Sequence, residues 1–352
     1  MIRIGLVAFG MAGRVFHAPL ISSVDGLELT AVVERSSNNA VARYPSIRTV
    51  RSLEELLRDP TIDLVVVATP SGTHFDVARQ VLESGKHVVV DKPTAVESAQ
   101  IATLIRLAAQ QERLLIPFHN RRWDGDFRTI QKLLATETLG RIVHVQSTFD
   151  RWNPGNTRVP WKDDPELGGG MLLDLGTHLV DQALTLFGKP QAVSGEVRRE
   201  REGDGANDAF TARLHYAGMT VELGANCLSS LARPRYHLRG TLGNYWKYGV
   251  DPQEAALNRM TQIEAADWGT EPASAWGTSA VAVGGTMTTR PVETVPGDYR
   301  LYYAGVRDAL LGHGPAPIPA IDAWRVARIL EWVAQSSTER RRIDCDWSAE
   351  PA

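Results

Sequence analysis

Cysteine is nearly absent: Cys227 and Cys345 are the only two in 352 residues. Two thiols this far apart cannot form a disulfide framework or a zinc-knuckle spacing, which fits a reducing, cytoplasmic setting. Long apolar runs are missing too. Nowhere do about 18 apolar residues follow one another, the length a spanning helix needs, and the opening stretch MIRIGLVAFG reads directly as a strand rather than as a secretory leader. Neither charge sign dominates, with 38 basic against 41 acidic side chains leaving a formal −3. No broad positive field is available to concentrate nucleic acid. The expected partner is a small neutral or weakly charged molecule, with no nucleic acid and no membrane. Repeats and low-complexity tails are lacking as well. At about 150 residues per domain the length suggests two domains.

What is present begins with alternation. As far as residue 118, the apolar strand-like runs IRIGLVAF, LELTAVVE, IDLVVVAT, HVVV and RLLIPF alternate with helical patterns over 12–23, 52–58, 73–84 and 97–111. Continuous Val/Ile/Leu strands between helices predict an α/β fold, a doubly wound parallel sheet of Rossmann type spanning 1–118. The texture changes near 119. A helix over 123–136, the strand RIVHVQSTFD, a glycine run Gly168 to Gly170, a helix over 171–187 and several period-2 strands follow, among them AVSGEVRRE, AFTARLHY, MTVELGANC and RYHLRG. These predict an α+β domain over 119–352 with an open, mostly antiparallel sheet. Residues 265–300 read as a long surface connection, and 321–334 as a final helix.

Between the first strand and the first helix lies AFGMAG, residues 8–13. A GxGxxG turn there would bring backbone N–H groups and a helix N-terminus to a dinucleotide pyrophosphate, with Phe9, Gly10, Met11, Ala12 and Gly13 around it. Ala8 stands where the first glycine is usual. Glu34 ends the second strand, placed to accept from the adenosine ribose hydroxyls, which favours NAD. Arg35 and Ser36 follow it and suit a 2′-phosphate, which favours NADP. Both cofactors remain open on this reading. The TPSGTH segment supplies Thr69, Pro70, Ser71 and His74 at the next strand end, where doubly wound sheets bind ligands.

Asp91-Lys92-Pro93 closes the strand HVVV. Proline keeps Lys92 out of the helical region, and the lysine is expected to cross the cofactor crevice and exchange a proton with a substrate hydroxyl. Asp174 and His178 share one helix face four residues apart, with Asp181 a turn further on. They suit a proton relay and hydroxyl clamp. A metal is not expected, because the pair lacks a third ligand of its own. FHNRRWDGDF, at the crossing between domains, contributes His119, Asn120, Arg121, Arg122 and Trp123 as candidate contacts, Asn120 toward cofactor and His119, Arg121 and Trp123 toward substrate. Arg122 and Trp123 serve equally well as anchors of the helix that follows. Tyr236, Tyr245, Lys247 and Tyr248 either close the substrate pocket or pack on the sheet.

Taken together, FHAPL at 16–20, TPSGTH, DKP, FHNRRWDGDF, LLDLGTHLVDQALTLFG and RGTLGNYWKYGVDPQE resemble the Gfo/Idh/MocA oxidoreductase family, and look like its NADP-dependent scyllo-inositol dehydrogenase branch. The resemblance implies a Rossmann domain with an open-faced second domain and homo-oligomers, dimer or tetramer, formed through the second sheet. It also implies that Lys92 is the family's E/D-K-P lysine and that Asp174 and His178 are its D-x-x-x-H pair. The expected activity is hydride transfer between NAD or NADP and a secondary alcohol of a cyclic polyol or sugar. The alternatives are transient oxidation by tightly held cofactor for elimination or epimerisation, and a non-catalytic NAD(P)-binding regulator.

Overall fold

The computed structural model describes residues 1–155, 160–231, 233–260 and 263–351. Among these the strands form two sheets. The first contains β1 (Ile2–Val7), β2 (Leu27–Val33), β3 (Arg48–Val50), β4 (Leu64–Val67), β5 (His87–Asp91) and β6 (Leu115–Phe118) in the order β3-β2-β1-β4-β5-β6. Every neighbouring pair is parallel. Because strand side chains alternate, Val66 and Val89 point into one core while Val65, Val67, Val88 and Val90 point into the other. Burial of both faces explains why these strands read as unbroken apolar runs.

The second sheet contains β7 (Ile142–Asp150), β8 (Ala192–Arg198), β9 (Ala209–Tyr216), β10 (Met219–Asn226), β11 (Tyr236–Gly240), β12 (Gly243–Lys247), β13 (Gly277–Val283), β14 (Thr286–Val292) and β15 (Ile343–Asp344). Their order is β14-β13-β12-β11-β7-β10-β9-β8-β15, antiparallel except for β7 beside β10. One face packs on the helices Thr177–Phe187 and Ala320–Glu339 through Val145, Leu214, Leu223, Leu179, Val180 and Ile329. This is the open, mostly antiparallel arrangement that the period-2 strands predict.

Two parts of the fold depart from the expectation. Residues 265–300 are not a connection: β13 and β14 form a hairpin there, turning at Gly284 and Gly285 with φ of 57° and 81°. Glycine pairs with positive φ make the tight turn whose twist matches a hairpin, so the signal was present in GTSAVAVGGTMTTRPV but was masked by its small residues. The helix Arg300–Leu310 was also not anticipated. Its Tyr299, Tyr302, Tyr303 and Val306 are fully buried in the core of the first sheet. The chain thus returns after the second sheet to cover the first, joined there by Leu257, Ile263 and Trp268.

Candidate active site

The parallel sheet changes direction between β1 and β4, and a crevice opens at the carboxyl ends of those strands, where doubly wound sheets bind ligands. The turn after β1 lies there. Arg14 N–H donates to the Gly10 carbonyl at 2.9 Å, so the N–H groups just before it have no helical acceptor and stay available to an anion. A Cβ at Gly13 would stand 2.3 Å from the Ala8 carbonyl oxygen, whereas one at Gly10 would meet nothing within 4 Å. Glycine at 13 is thus required by packing, and the space over Gly10 is open for a phosphate. Ala8 adopts φ 80°, the left-handed conformation of the glycine it replaces. The turn fits a dinucleotide.

A cavity of about 730 Å³ runs from this turn into the second domain. That lies within the usual range for small-molecule sites. Gly10, Met11, Ala12, Thr69, Pro70, Ser71, His74, Lys92, Asn120, Arg121, Asp174 and His178 all line it. The remaining expected contacts lie off the wall. Phe9 packs edge-on against Tyr44, and Trp123 against Tyr302. Tyr248 is 55% exposed and lies outside the cavity. His119 sits in a small pocket behind it, beside Pro93 and Thr177, with both ring nitrogens buried and unpartnered among the described residues. Tyr236 and Tyr245 pack in the second core, and Lys247 is buried against Glu271 at 2.9 Å.

Glu34 departs furthest from its expected role. Its carboxylate is buried and turned inward, accepting from Ser37 Oγ at 2.6 Å and from the N–H groups of Asn39 and Ala40 at 3.2 and 2.9 Å. The short helix Asn39–Arg43 begins there, so the acid satisfies that helix's free donors instead of facing a ribose. Arg51 closes the same loop by donating to the Glu34 and Ser37 carbonyls at 2.9 and 2.6 Å. Arg35 and Ser36 are left exposed. Parallel pairing of Val7 with Val33 puts them at the same sheet edge as the Gly10 turn.

At the end of β5, Lys92 Nζ donates to Asp174 Oδ1 at 2.5 Å and to the Asp174 carbonyl at 2.7 Å. Lys162 Nζ approaches Oδ2 at 3.4 Å. Burial pushes the Asp174 carboxyl up, but the charges of Lys92 and Lys162 outweigh it and hold it well below the usual carboxylate range. His178, four residues on, is buried, and its Nδ1 has no partner among the described residues. Burial, reinforced by the positive charges of Lys92 and Arg121, holds its imidazole well below the ordinary histidine value. At neutral pH the site therefore pairs a permanent carboxylate with a neutral imidazole.

The sequence reading missed the supporting roles of His17 and Tyr303, and it cast His74 as a cofactor contact only. His74 ties the two strand ends together, its Nδ1 2.7 Å from the Pro93 carbonyl and its Nε2 2.7 Å from that of Thr69. Beneath Lys92, Asp91 accepts from the Lys92 N–H at 2.7 Å and lies 3.6 Å from His17, whose other nitrogen is 2.7 Å from Tyr303 Oη. The apolar spacing of Tyr299, Tyr302, Tyr303 and Val306 is the one sequence signal that leads to Tyr303. Arg122 grips Asp181 with two bonds, at 2.9 and 2.6 Å, and reaches Asp322 at 2.9 Å. It anchors three segments and does not line the cavity.

The amino-terminal third, residues 2–119, matches the model of an oxidoreductase family with an NAD-binding Rossmann fold. Residues 127–246 match the GFO/IDH/MocA C-terminal domain. The chain belongs to the Gfo/Idh/MocA oxidoreductase family. It is 40% identical to the uncharacterized oxidoreductase YdgJ of Escherichia coli over 97% of this chain and 98% of that protein. It is 33% identical to the NADP⁺-dependent scyllo-inositol 2-dehydrogenase IolW of Bacillus subtilis, over 97% and 95%. The solved structure of the YPO2259 putative oxidoreductase from Yersinia pestis superposes with a TM-score of 0.92 at 40% identity, over 98% of this chain and 97% of that one. This family member is an NAD(P)-binding oxidoreductase. Among the described residues no group of three or more His, Cys, Asp or Glu side chains is placed to hold a metal ion, and no helix is long and apolar enough to cross a membrane.

Proposed function

We propose that this protein is a dehydrogenase that prefers NADP and interconverts a secondary alcohol and a ketone on a cyclic polyol or sugar. The observation that carries the reading is Lys92 Nζ held against Asp174 at 2.5 Å on the wall of the cavity that also contains the neutral His178. Bound on the Gly10 to Gly13 turn, a nicotinamide dinucleotide supplies the hydride acceptor or donor. The chain's own residues handle the proton. Oxidation releases the hydroxyl proton of the alcohol, and the unprotonated His178 nitrogen is the group to take it while the Lys92 ammonium donates a hydrogen bond to the reacting oxygen; reduction runs the same transfer backwards, from protonated His178 to the carbonyl oxygen. Asp174 holds Lys92 in place and accepts from a neighbouring hydroxyl. The name of the scyllo-inositol 2-dehydrogenase relative supports a polyol substrate.

The NADP preference rests on the inward turn of Glu34. With that carboxylate occupied, the exposed Arg35 guanidinium and Ser36 hydroxyl are the groups free to meet a 2′-phosphate. We further propose a cytoplasmic homo-oligomer. Support for assembly comes from the exposed outer strand β14 and the exposed Leu242, Val283 and Met287 near it.

The test is a spectrophotometric panel of inositols and aldoses against both cofactors, read as net NAD(P)H. Steady accumulation with a polyol and NADP⁺ is expected. Tight cofactor binding without net reduced cofactor from any member would overturn the dehydrogenase reading.

A further inference from the structure

The cavity continues beyond Lys92. There its wall includes Arg151, Asn153, Trp161 and Lys162, side chains that no motif in the sequence marks, beside Asp163, Arg201 and Asp208. Their backbone is well fixed on the β7 side: Arg151 N–H donates to the Asn226 carbonyl and its own carbonyl accepts from Ser229, both at 3.0 Å, while Asn153 N–H donates to Cys227 at 2.8 Å. Arg151 therefore stands on an extension of the sheet.

Charge on this wall is unbalanced. Asp163 is paired with Arg199 at 2.8 Å, Asp208 with Arg201 at 2.7 Å and Glu254 with Arg121 at 2.5 Å. Asp91 is turned to His17 and to its own chain. Asp174 faces Lys92 at 2.5 Å, Lys162 at 3.4 Å and the charge of Arg151. Residues 156–159, Asn-Thr-Arg-Val, include no acid that could redress the balance. Three cations, Lys92, Lys162 and Arg151, stand against the two carboxylates Asp174 and Asp91, which leaves one positive charge in excess. In a concave, partly dry site such an excess focuses the field and raises the local concentration of anions.

We propose that Arg151 and Lys162 form an anion subsite, so that the substrate is a polyol or sugar bearing a carboxylate or a phosphate. A guanidinium takes either group through two parallel hydrogen bonds, and an ammonium beside it adds a compact charge. The anionic end is held beyond Asp174 while the reacting hydroxyl lies at Lys92 and His178. The subsite rests on the proposed dehydrogenase reading only for that reacting end.

The experiment compares matched ligands on the enzyme saturated with cofactor: glucose, glucuronate and a hexose phosphate, then myo-inositol and an inositol monophosphate. Two quantities are read, equilibrium binding by calorimetry to the NADPH complex and kcat/KM with NADP⁺. The expected result is an advantage of about tenfold or more for one anionic class over its neutral parent, the scale of a hydrogen bond to a charged group. The carboxylate and phosphate arms tell the two sources apart. Added salt should erode the advantage, and Arg151→Met with Lys162→Met should abolish it, with NADPH fluorescence verifying that the double variant is folded. Equal binding of charged and neutral ligands, or an advantage that survives in the double variant, would sink the subsite. Tighter binding of the anions without turnover of any ligand would leave the subsite standing and remove the dehydrogenase reading. Turnover of neutral polyols, with the anions bound no tighter, would do the reverse.

Discussion

The side of the cleft from the parallel sheet is lined mostly by small and uncharged residues, among them Gly10, Ala12, Thr69 and Ser71, whereas the side from the second domain carries more charge, with Arg151, Lys162, Asp163, Asp174 and Arg201. On the first, short turns follow β1 and β4 directly, and what they offer a ligand is N–H groups and the room glycine leaves. On the second, Asp174 and His178 share one helical segment while Lys162 and Arg151 come from two others, and their chemistry depends on which charges face them. The contrast teaches where variation is tolerated. Ala8 stands where such turns usually carry glycine and takes a left-handed φ of 80°, so that position supplies a backbone angle. A charge lost from the other wall alters every group it faces.

The largest test of this contrast is Lys92→Met, which removes the ammonium that β5 holds against Asp174 across the cleft. Turnover should fall by at least about a hundredfold, the scale of losing a donor to the reacting oxygen, while NADPH binding by fluorescence persists because the Gly10 turn is untouched. Near-normal turnover would detach the chemistry from Lys92. A smaller effect is expected on the cofactor side. Arg35→Ala should weaken NADP⁺ binding by about tenfold, as loss of a charge-assisted bond does, and leave NAD⁺ binding nearly constant; an equal loss for both would show that Arg35 does not read the 2′-phosphate.

Smaller again is Ala8→Gly. It relieves a left-handed alanine at the expense of a more flexible unfolded chain, and should raise stability by about 1 kcal/mol in thermal unfolding. A drop in Tm would mean the alanine Cβ packs usefully there. The smallest change is expected in the pH profile. Protonating His178 removes an acceptor, so oxidation must slow on the acid side; since burial and its cationic neighbours hold that imidazole down, kcat/KM should stay level through 6.5 and fall only well below it. A limb centred at 6.5 would place the neutral imidazole elsewhere.

Much of the fold was legible because its cause is local. Valine-rich runs buried on both faces, a turn of small residues and period-2 strands all leave periodic marks in the chain. The β13–β14 hairpin was missed because Thr, Ala and Gly look like loop residues until their alternation is paired across Gly284 and Gly285. The helix Arg300–Leu310 was missed because its apolar stripe is aromatic and serves a core laid down some 200 residues earlier. At the site, Lys92, Asp174 and His178 were legible as residue types at strand and helix positions. Glu34 misled because a carboxylate at a strand end can accept from a ribose or from its own loop, and only the path of residues 35–40 decides between them.

The order of residues was enough to set the alternation of strands and helices, the position of the glycine turn after β1 and the place of the lysine after β5. These depend on interactions within a few positions along the chain. The pairing of Lys92 with Asp174, the neutrality of His178, the inward turn of Glu34 and the gathering of Arg151 and Lys162 beside Asp174 were decided by the folded chain alone. Each is set by an electrostatic field, and a field sums over neighbours in space regardless of their separation in sequence.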